Sequence, residues 1–310
     1  MKRKKTFKQG ATLPHIKNTA HSPTVVMPAP ETITVPMQQH IGAPCKPVLQ
    51  KGDRVKVGQV IGDSDQYVSA PIHSGVSGKV AKMDIILTYD GRNVPVMIIE
   101  SDGENEIHED VKPPKVGNLN EFVKAIRASG LVGLGGAGFP THVKLNLPNE
   151  ADIDTLIVNA VECEPYITSD FREALEHTEH VIRGTEIIGE FLKIPNLIIG
   201  VEDNKPESIE ILSQAAKGTK IQVQPLITRY PQGAEKMLIS ALTGRKVPSG
   251  GLPSDVGTIV LNITTVSFIS KYLETGMPLV KRRVTVDGTA VKNPGNVEVV
   301  VGTSIRELLA

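Results

Sequence analysis

TLIVNAVECEP, residues 155–165, is the stretch on which the fold turns. Its first half is apolar without alternation, which reads as a strand buried on both faces, and such strands belong to parallel sheets covered by helices. Its second half turns acidic, with Glu162 and Glu164 bracketing Cys163. Downstream, LIIGVE (197–202) and IQVQPL (221–226) are further short apolar runs, and helical stretches over about 170–193 and 205–217 alternate with them. A helix over 233–243 and the strand, turn and helix of TIVLNITTVSFISKYLETG (258–276) continue the pattern. The expected class is α/β, with a Rossmann-like central domain on a parallel sheet. Ligands of such sheets bind outside the carboxyl ends of the strands, where Glu162 and Glu164 stand. Two acids in a loop are also common as solvent-facing groups, and the sequence leaves both readings open.

Upstream lies GLVGLGGAGFPTHVKL, residues 130–145. Before it, LNEFVKAIRASG puts Leu119, Phe122, Val123 and Ile126 on one helical face, with Asn118 as the cap and Gly130 as the stop. Gly133, Gly135 and Gly138 satisfy G-x-G-x-x-G, but that motif marks a dinucleotide site only between a strand and a helix. A helix precedes it here, so the ordinary Rossmann reading fails. Either the glycines serve tight turns, or a ligand approaches the backbone too closely for side chains. Phe139 reads as a core aromatic or a stacking ring, and Lys144 as a solvated cation or a phosphate partner.

Residues 31–103 have another texture, with short Val/Ile-rich runs broken by Gly, Asp and Pro, which predicts a small all-β unit. GDRVKVGQVIG followed by SAPIHSGVSGKV resembles the barrel-sandwich fold of biotinyl and lipoyl carriers. Those carriers need a modifiable Lys at a hairpin tip, and DSDQYVSAP offers Gln66 and Tyr67 instead, so the fold is expected without the swinging arm. KPPKVGN (112–118) reads as a linker. The end of the chain predicts a β-hairpin around NPGN and a helix just beginning, as in a further domain cut short.

Lys+Arg and Asp+Glu are both 34, which argues against a general pull toward nucleic acid. The first eight residues nonetheless hold five Lys/Arg and no acid, a solvated tail or an anchor to a charged partner or membrane surface. Cys45 and Cys163 are the only cysteines, so a four-thiolate iron–sulfur cluster cannot be ligated within this chain. No apolar run approaches the roughly 20 residues that span a bilayer.

GLGGAGFPTHVK, NAVECEP (159–165), YPQGAEK (230–236) and TIVLNITT (258–265) follow the order of the glycine loop, acidic segment, Gly-x-Glu segment and Asn-bearing strand of the NADH-oxidising flavoprotein subunit of respiratory complex I. With QQHIGAPC (38–45) and the preceding barrel, the chain more closely resembles the RnfC family of the Rnf electron-transport complex. The resemblance implies a basic lead over 1–30, a barrel-sandwich domain over 31–115, an FMN/NADH-binding α/β domain over 116–280 and the start of a β-grasp domain over 281–310. It implies FMN on Gly133, Gly135, Gly136 and Gly138, with Phe139, Lys144, Asn159, Glu162 and Asn262 around it. Glu164 would lie on the nicotinamide-nucleotide side, and Gly233 and Glu235 would close the pocket. Complex I subunits carry Arg where Leu134 stands and Asp where Val161 stands, so FMN phosphate and ribose contacts are expected to differ.

Function follows from the same resemblance. It implies an NADH-dependent oxidoreductase module that turns hydride transfer into single-electron transfer, with other Rnf subunits as partners, ferredoxin reached indirectly and no nucleic acid. The 4Fe-4S clusters of the family would be held outside this chain, and the complex would sit on the cytoplasmic side of the membrane as a peripheral assembly. The alternatives are a cobalamin-reductase-like flavoprotein and a docking subunit that lost its flavin.

Overall fold

The computed structural model describes residues 4–7, 10–88, 90–147 and 153–309. The first elements are eight strands, β1 (Thr24–Val26) within the lead and then β2 (Thr32–Pro36), β3 (Lys46–Pro47), β4 (Arg54–Val55), β5 (Val60–Asp63), β6 (Ile72–His73), β7 (Gly78–Leu87) and β8 (Asn93–Ser101). Two antiparallel sheets form, in the orders β2-β8-β7-β4 and β3-β5-β6. Alternation along β2 sends Ile33 and Val35 inward, where they join Met37, Ile61, Met97 and Ile99 in one core. This is the expected sandwich. Helix α1 (Leu119–Ala128) buries Phe122, Ala125 and Ile126, and Asn118 caps it by accepting the Glu121 N–H at 3.0 Å. The short α2 (Thr141–Leu145) follows the glycine loop.

The parallel sheet comes next. Strands β9 (Thr155–Ala160), β10 (Asn196–Glu202), β11 (Ile221–Leu226) and β12 (Thr258–Asn262) alternate with α3 (Ser169–Glu176), α4 (Thr178–Phe191), α5 (Pro206–Ala215), α6 (Glu235–Thr243) and α7 (Ile263–Thr275). All pairings are parallel, in the order β11-β10-β9-β12. The one helix expected over 170–193 is two, because His177 at φ −133° leaves the helical region. Ile157, Val260, Leu226, Leu238, Ile239 and Leu242 form the core between sheet and α6. Successive strands run from β9 outward to β11 and then jump to the other side with β12. The crevice between β9 and β12 is the topological switch point.

The end of the chain forms the expected hairpin, β13 (Lys281–Val286) with β14 (Gly295–Val300), and then α8 (Ile305–Leu308) under a Ser304–Glu307 capping box. Strand β1 adds to β14 in parallel, a pairing that the reading of the lead did not foresee.

By compactness the chain forms two units. A sheet unit comprises Met1–Pro23, Leu147–Ser270 and Asp287–Ala290, and a sandwich unit comprises Thr24–Asn146, Lys271–Val286 and Val291–Ala310. The described part of the basic lead is not a loose tail. Lys5 bridges Leu226 in parallel at the β11 edge, Phe7 is buried, and Lys4 pairs with Asp203 at 2.9 Å. Lys2, Arg3 and Lys8 lie outside the described residues.

Candidate functional site

The glycine loop belongs to the sandwich unit. Gly133 N–H donates to the Phe139 carbonyl at 2.9 Å and Thr141 N–H to that of Leu131 at 3.1 Å, which pinches residues 133–139 into a closed loop. Its tip, Gly135 to Ala137, is exposed. Gly138 sits at φ +67°, where only glycine is unstrained, and its carbonyl accepts the Ile41 N–H at 3.3 Å. Gly136 differs. It is absent from the positive-φ residues, and a Cβ placed there would meet nothing within 4 Å. Neither backbone conformation nor packing within the chain demands glycine at 136.

The tip of the β5–β6 connection, where a carrier would hold its lysine, supports α2 instead. His142 Nε2–H donates to the Tyr67 carbonyl at 3.2 Å, and Asn146 donates to the Tyr67 hydroxyl at 2.9 Å. Phe139 and Lys144 are both half-buried.

In the sheet unit, the carboxyl ends of β9 and β12 carry the second constellation. Asn159 and Asn262 are register partners. Asn159 Nδ2 donates to the Gly233 carbonyl at 2.9 Å, while its oxygen accepts the Val161 N–H at 3.0 Å. A Cβ on Gly233 would stand 2.6 Å from the Val161 carbonyl, so glycine is required for this approach. Asn262 Nδ2 donates to Asp170 at 2.6 Å and its oxygen caps α7 by accepting the Thr264 N–H at 2.8 Å. Asp170 also accepts the Thr264 hydroxyl at 2.8 Å and gives its own N–H to Glu162 Oε1 at 2.7 Å.

Charge here is unusual. Glu162 is 3% exposed, and desolvation together with the nearby Asp170 pushes its carboxyl up to about 8, so it is mostly protonated at neutral pH. Burial also raises Asp170. Beside them the buried Lys205 donates to Glu202 at 2.9 Å and to the Glu162 carbonyl at 3.3 Å. From the lead, Lys17 donates to the carbonyls of Glu162, Glu164 and Ile167. Glu164 itself is exposed, and Glu235 opens α6 in its first turn.

Of the twelve residues singled out in the sequence, six fall in each unit: Gly133, Gly135, Gly136, Gly138, Phe139 and Lys144 in the sandwich unit, and Asn159, Glu162, Glu164, Gly233, Glu235 and Asn262 in the sheet unit. Within the second group Asn159 meets Gly233, and Asn262 reaches Glu162 through Asp170. The solvent-facing reading of the paired acids holds for Glu164 and fails for Glu162. Sequence reasoning missed Asp170, Lys205 and Lys17. The first two lie just beyond motifs it had found, and Lys17 had no local signal. Among the described residues, no group of three or more His, Cys, Asp or Glu is placed to hold a metal, and no helix is long and apolar enough to cross a membrane.

A barrel-sandwich unit, and an α/β unit whose parallel sheet has a switch point, with a glycine loop that opens after a helix, are the two parts of this fold. Residues 126–271 match the Nuo51 FMN-binding domain model, and residues 5–104 match the RnfC barrel sandwich hybrid domain model. The chain belongs to the RnfC family. It is 45% identical to the RnfC-type component of the proton-translocating ferredoxin:NAD(+) oxidoreductase complex of Clostridium ljungdahlii, over 94% of this chain and 65% of that protein. It is 42% identical to the counterpart in the Na(+)-translocating complex of Acetobacterium woodii, over 98% of this chain and 70% of that protein. The chain thus spans about two thirds of the length of these relatives. An NAD+-reducing [NiFe]-hydrogenase crystal structure in the H2-reduced state shares the fold, with a TM-score of 0.53 at 22% identity over 62% of this chain and 39% of that one.

Proposed function

We propose that this chain is the flavin- and nicotinamide-binding module of an Rnf-type, ion-translocating ferredoxin:NAD oxidoreductase. The observation that carries the reading is Gly136, an exposed glycine at a loop tip that neither backbone conformation nor packing explains and that leaves its backbone open to a ligand. Gly133, Gly135, Gly136 and Gly138 would present backbone to FMN, Lys144 would set a cation against its phosphate, and Phe139 would offer a ring face. When bound, FMN supplies the exchange between a hydride pair and single electrons. Asn159, Glu162 and Asn262 would line the flavin side, with Glu162 holding a proton there at neutral pH. Glu164, Gly233 and Glu235 would border the nicotinamide nucleotide.

Two cysteines cannot ligate a four-thiolate cluster, so in this reading the next electron acceptor is held outside this chain. The family relationship supports other Rnf subunits as partners, ferredoxin as an indirect one, and a peripheral seat on the cytoplasmic side of the membrane. An absorbance spectrum tests the core of the reading. Flavin bands that bleach on adding NADH are expected, and a colourless protein that ignores added FMN would overturn it.

A further inference from the structure

The described lead crosses the carboxyl edge of the parallel sheet. Lys5 bridges Leu226 at the end of β11, and Ala11 exchanges two backbone hydrogen bonds with Tyr230, at 2.9 and 2.8 Å. Leu13, Pro14, His15 and Lys17 then wall a small cleft whose other side is Glu202, Asn204 and the Glu162–Pro165 loop. Beyond it Thr19 meets the Thr168 hydroxyl at 2.6 Å, and Arg172 donates to the Ala20 carbonyl at 3.2 Å. The ends of β11, β10 and β9 are strapped in turn. Asn159 and Asn262, on the β9/β12 side, bond instead to Gly233 and Asp170.

Lys17 is the centre of this strap. Its side chain is 8% exposed, and its ammonium donates to the carbonyls of Glu162 at 2.8 Å, Glu164 at 2.9 Å and Ile167 at 2.5 Å. An ammonium has three protons, and all three find a carbonyl of one six-residue loop. Glu162 Oε2 adds a fourth contact at 3.6 Å. The loop needs holding, because Tyr166 sits at φ +69°, a left-handed conformation that a non-glycine residue adopts only under constraint. The Tyr166 N–H is anchored by the strap too, to the Ile16 carbonyl at 2.6 Å.

We propose that residues 4–7 and 10–20 form a fixed strap over the carboxyl edge of the sheet, and that Lys17 is a positioning residue that holds the Glu162–Ile167 backbone and thereby aims Glu164 at the nicotinamide nucleotide. The nucleotide half of this assignment rests on the flavin reading above, and the loop-holding half does not. Lys17→Met keeps the apolar stem and strips all three donors from the loop. Lys17→Arg keeps charge and donors.

Hydrogen exchange on the whole chain, measured without flavin, tests the loop. Lys17→Met is expected to speed exchange at the Cys163, Glu164, Tyr166, Ile167 and Thr168 amides about tenfold or more, the loss of at least one charge-assisted hydrogen bond, while β10 and α5 amides stay protected. In the FMN-loaded protein, the NADH concentration for half-maximal bleaching is expected to rise about tenfold with FMN still bound, and Lys17→Arg to restore both readouts. Unchanged loop exchange would overturn the positioning role, and faster exchange with unaltered NADH dependence would overturn the aim at the nucleotide. A wild-type chain that takes no FMN would sink the flavin reading and leave the exchange result to decide the loop. Should Lys17→Met not fold, Lys17→Gln takes its place, and failure of both to fold would assign Lys17 to stability alone and overturn the proposal.

Discussion

Asn159 and Asn262 face each other as the last register pair between β9 and β12, yet their amides serve different partners, Gly233 on one side and Asp170 on the other. Two separate hydrogen-bonded arms thus leave the switch point. Asp170 is the hinge of one arm, since it accepts from Asn262 and Thr264 and donates to Glu162. Asp170→Ala leaves two donors without an acceptor, and urea denaturation is expected to register a loss of about 1–3 kcal/mol for each that stays dry. Asp170→Asn, which keeps one oxygen, should cost less. Equal stability of all three proteins would mean that the arm contributes nothing.

Glu162 makes stability depend on pH. Its carboxyl rises from 4.5 to about 8 on folding, so between those values the folded chain binds the extra proton, and stability is full below pH 4.5 and falls as pH climbs through 8. Thermal melts of Glu162→Gln, which keeps an acceptor for the Asp170 N–H, should lack that alkaline decline. A wild-type curve flat from pH 5 to about 8.5 would contradict it.

His73, in the sandwich unit, has the opposite sign. Burial pushes it down from 6.5 to about 4, so its contribution is full above pH 6.5 and is lost as pH falls through 4. Exchange protection of β6 and β7 should therefore weaken on acidification over that window. His73→Phe should flatten the response, and an unchanged acid response in that variant would rule the histidine out.

Two glycines of the loop are expected to part company. Gly136→Ala meets open space, so stability should stay within about 0.5 kcal/mol of wild type while FMN affinity, read by fluorescence quenching, falls. Gly138→Ala would force a side chain onto φ +67° and toward the Gln39 carbonyl, and should destabilise by about 1 kcal/mol or more. Normal FMN binding by Gly136→Ala would return that residue to the role of a plain turn.

Lys144 and Glu164 should fail differently. Lys144→Ala is expected to weaken FMN retention by about 1.5–3 kcal/mol where the phosphate contact is desolvated. Glu164→Gln should keep FMN and alter its reduction by NADH, because charge is removed with little change of volume. Glu104, exposed in the SDGENE stretch, is the neutral control. Normal flavin retention by the first variant and normal NADH dependence in the second would together reject both residue assignments.

Much of this was legible in the sequence because it is local chemistry. Short β-branched apolar runs alternating with helical stretches marked β9 and β10 as strands, an Asn three residues before a Glu caps α1, and a glycine at 138 meets the demand of a left-handed turn. What only the tertiary structure decided is remote and depends on burial. Lys17 lies 145 residues from Glu162 and Asp170 lies 92 from Asn262, distances over which no periodicity operates, and each pair meets only because the sheet order and the path of the lead deliver it. Glu162 and Glu164 look alike two positions apart in the chain. One is buried and protonated and the other is exposed, because the turn after β9 sends one carboxyl under the strap and leaves the other in water.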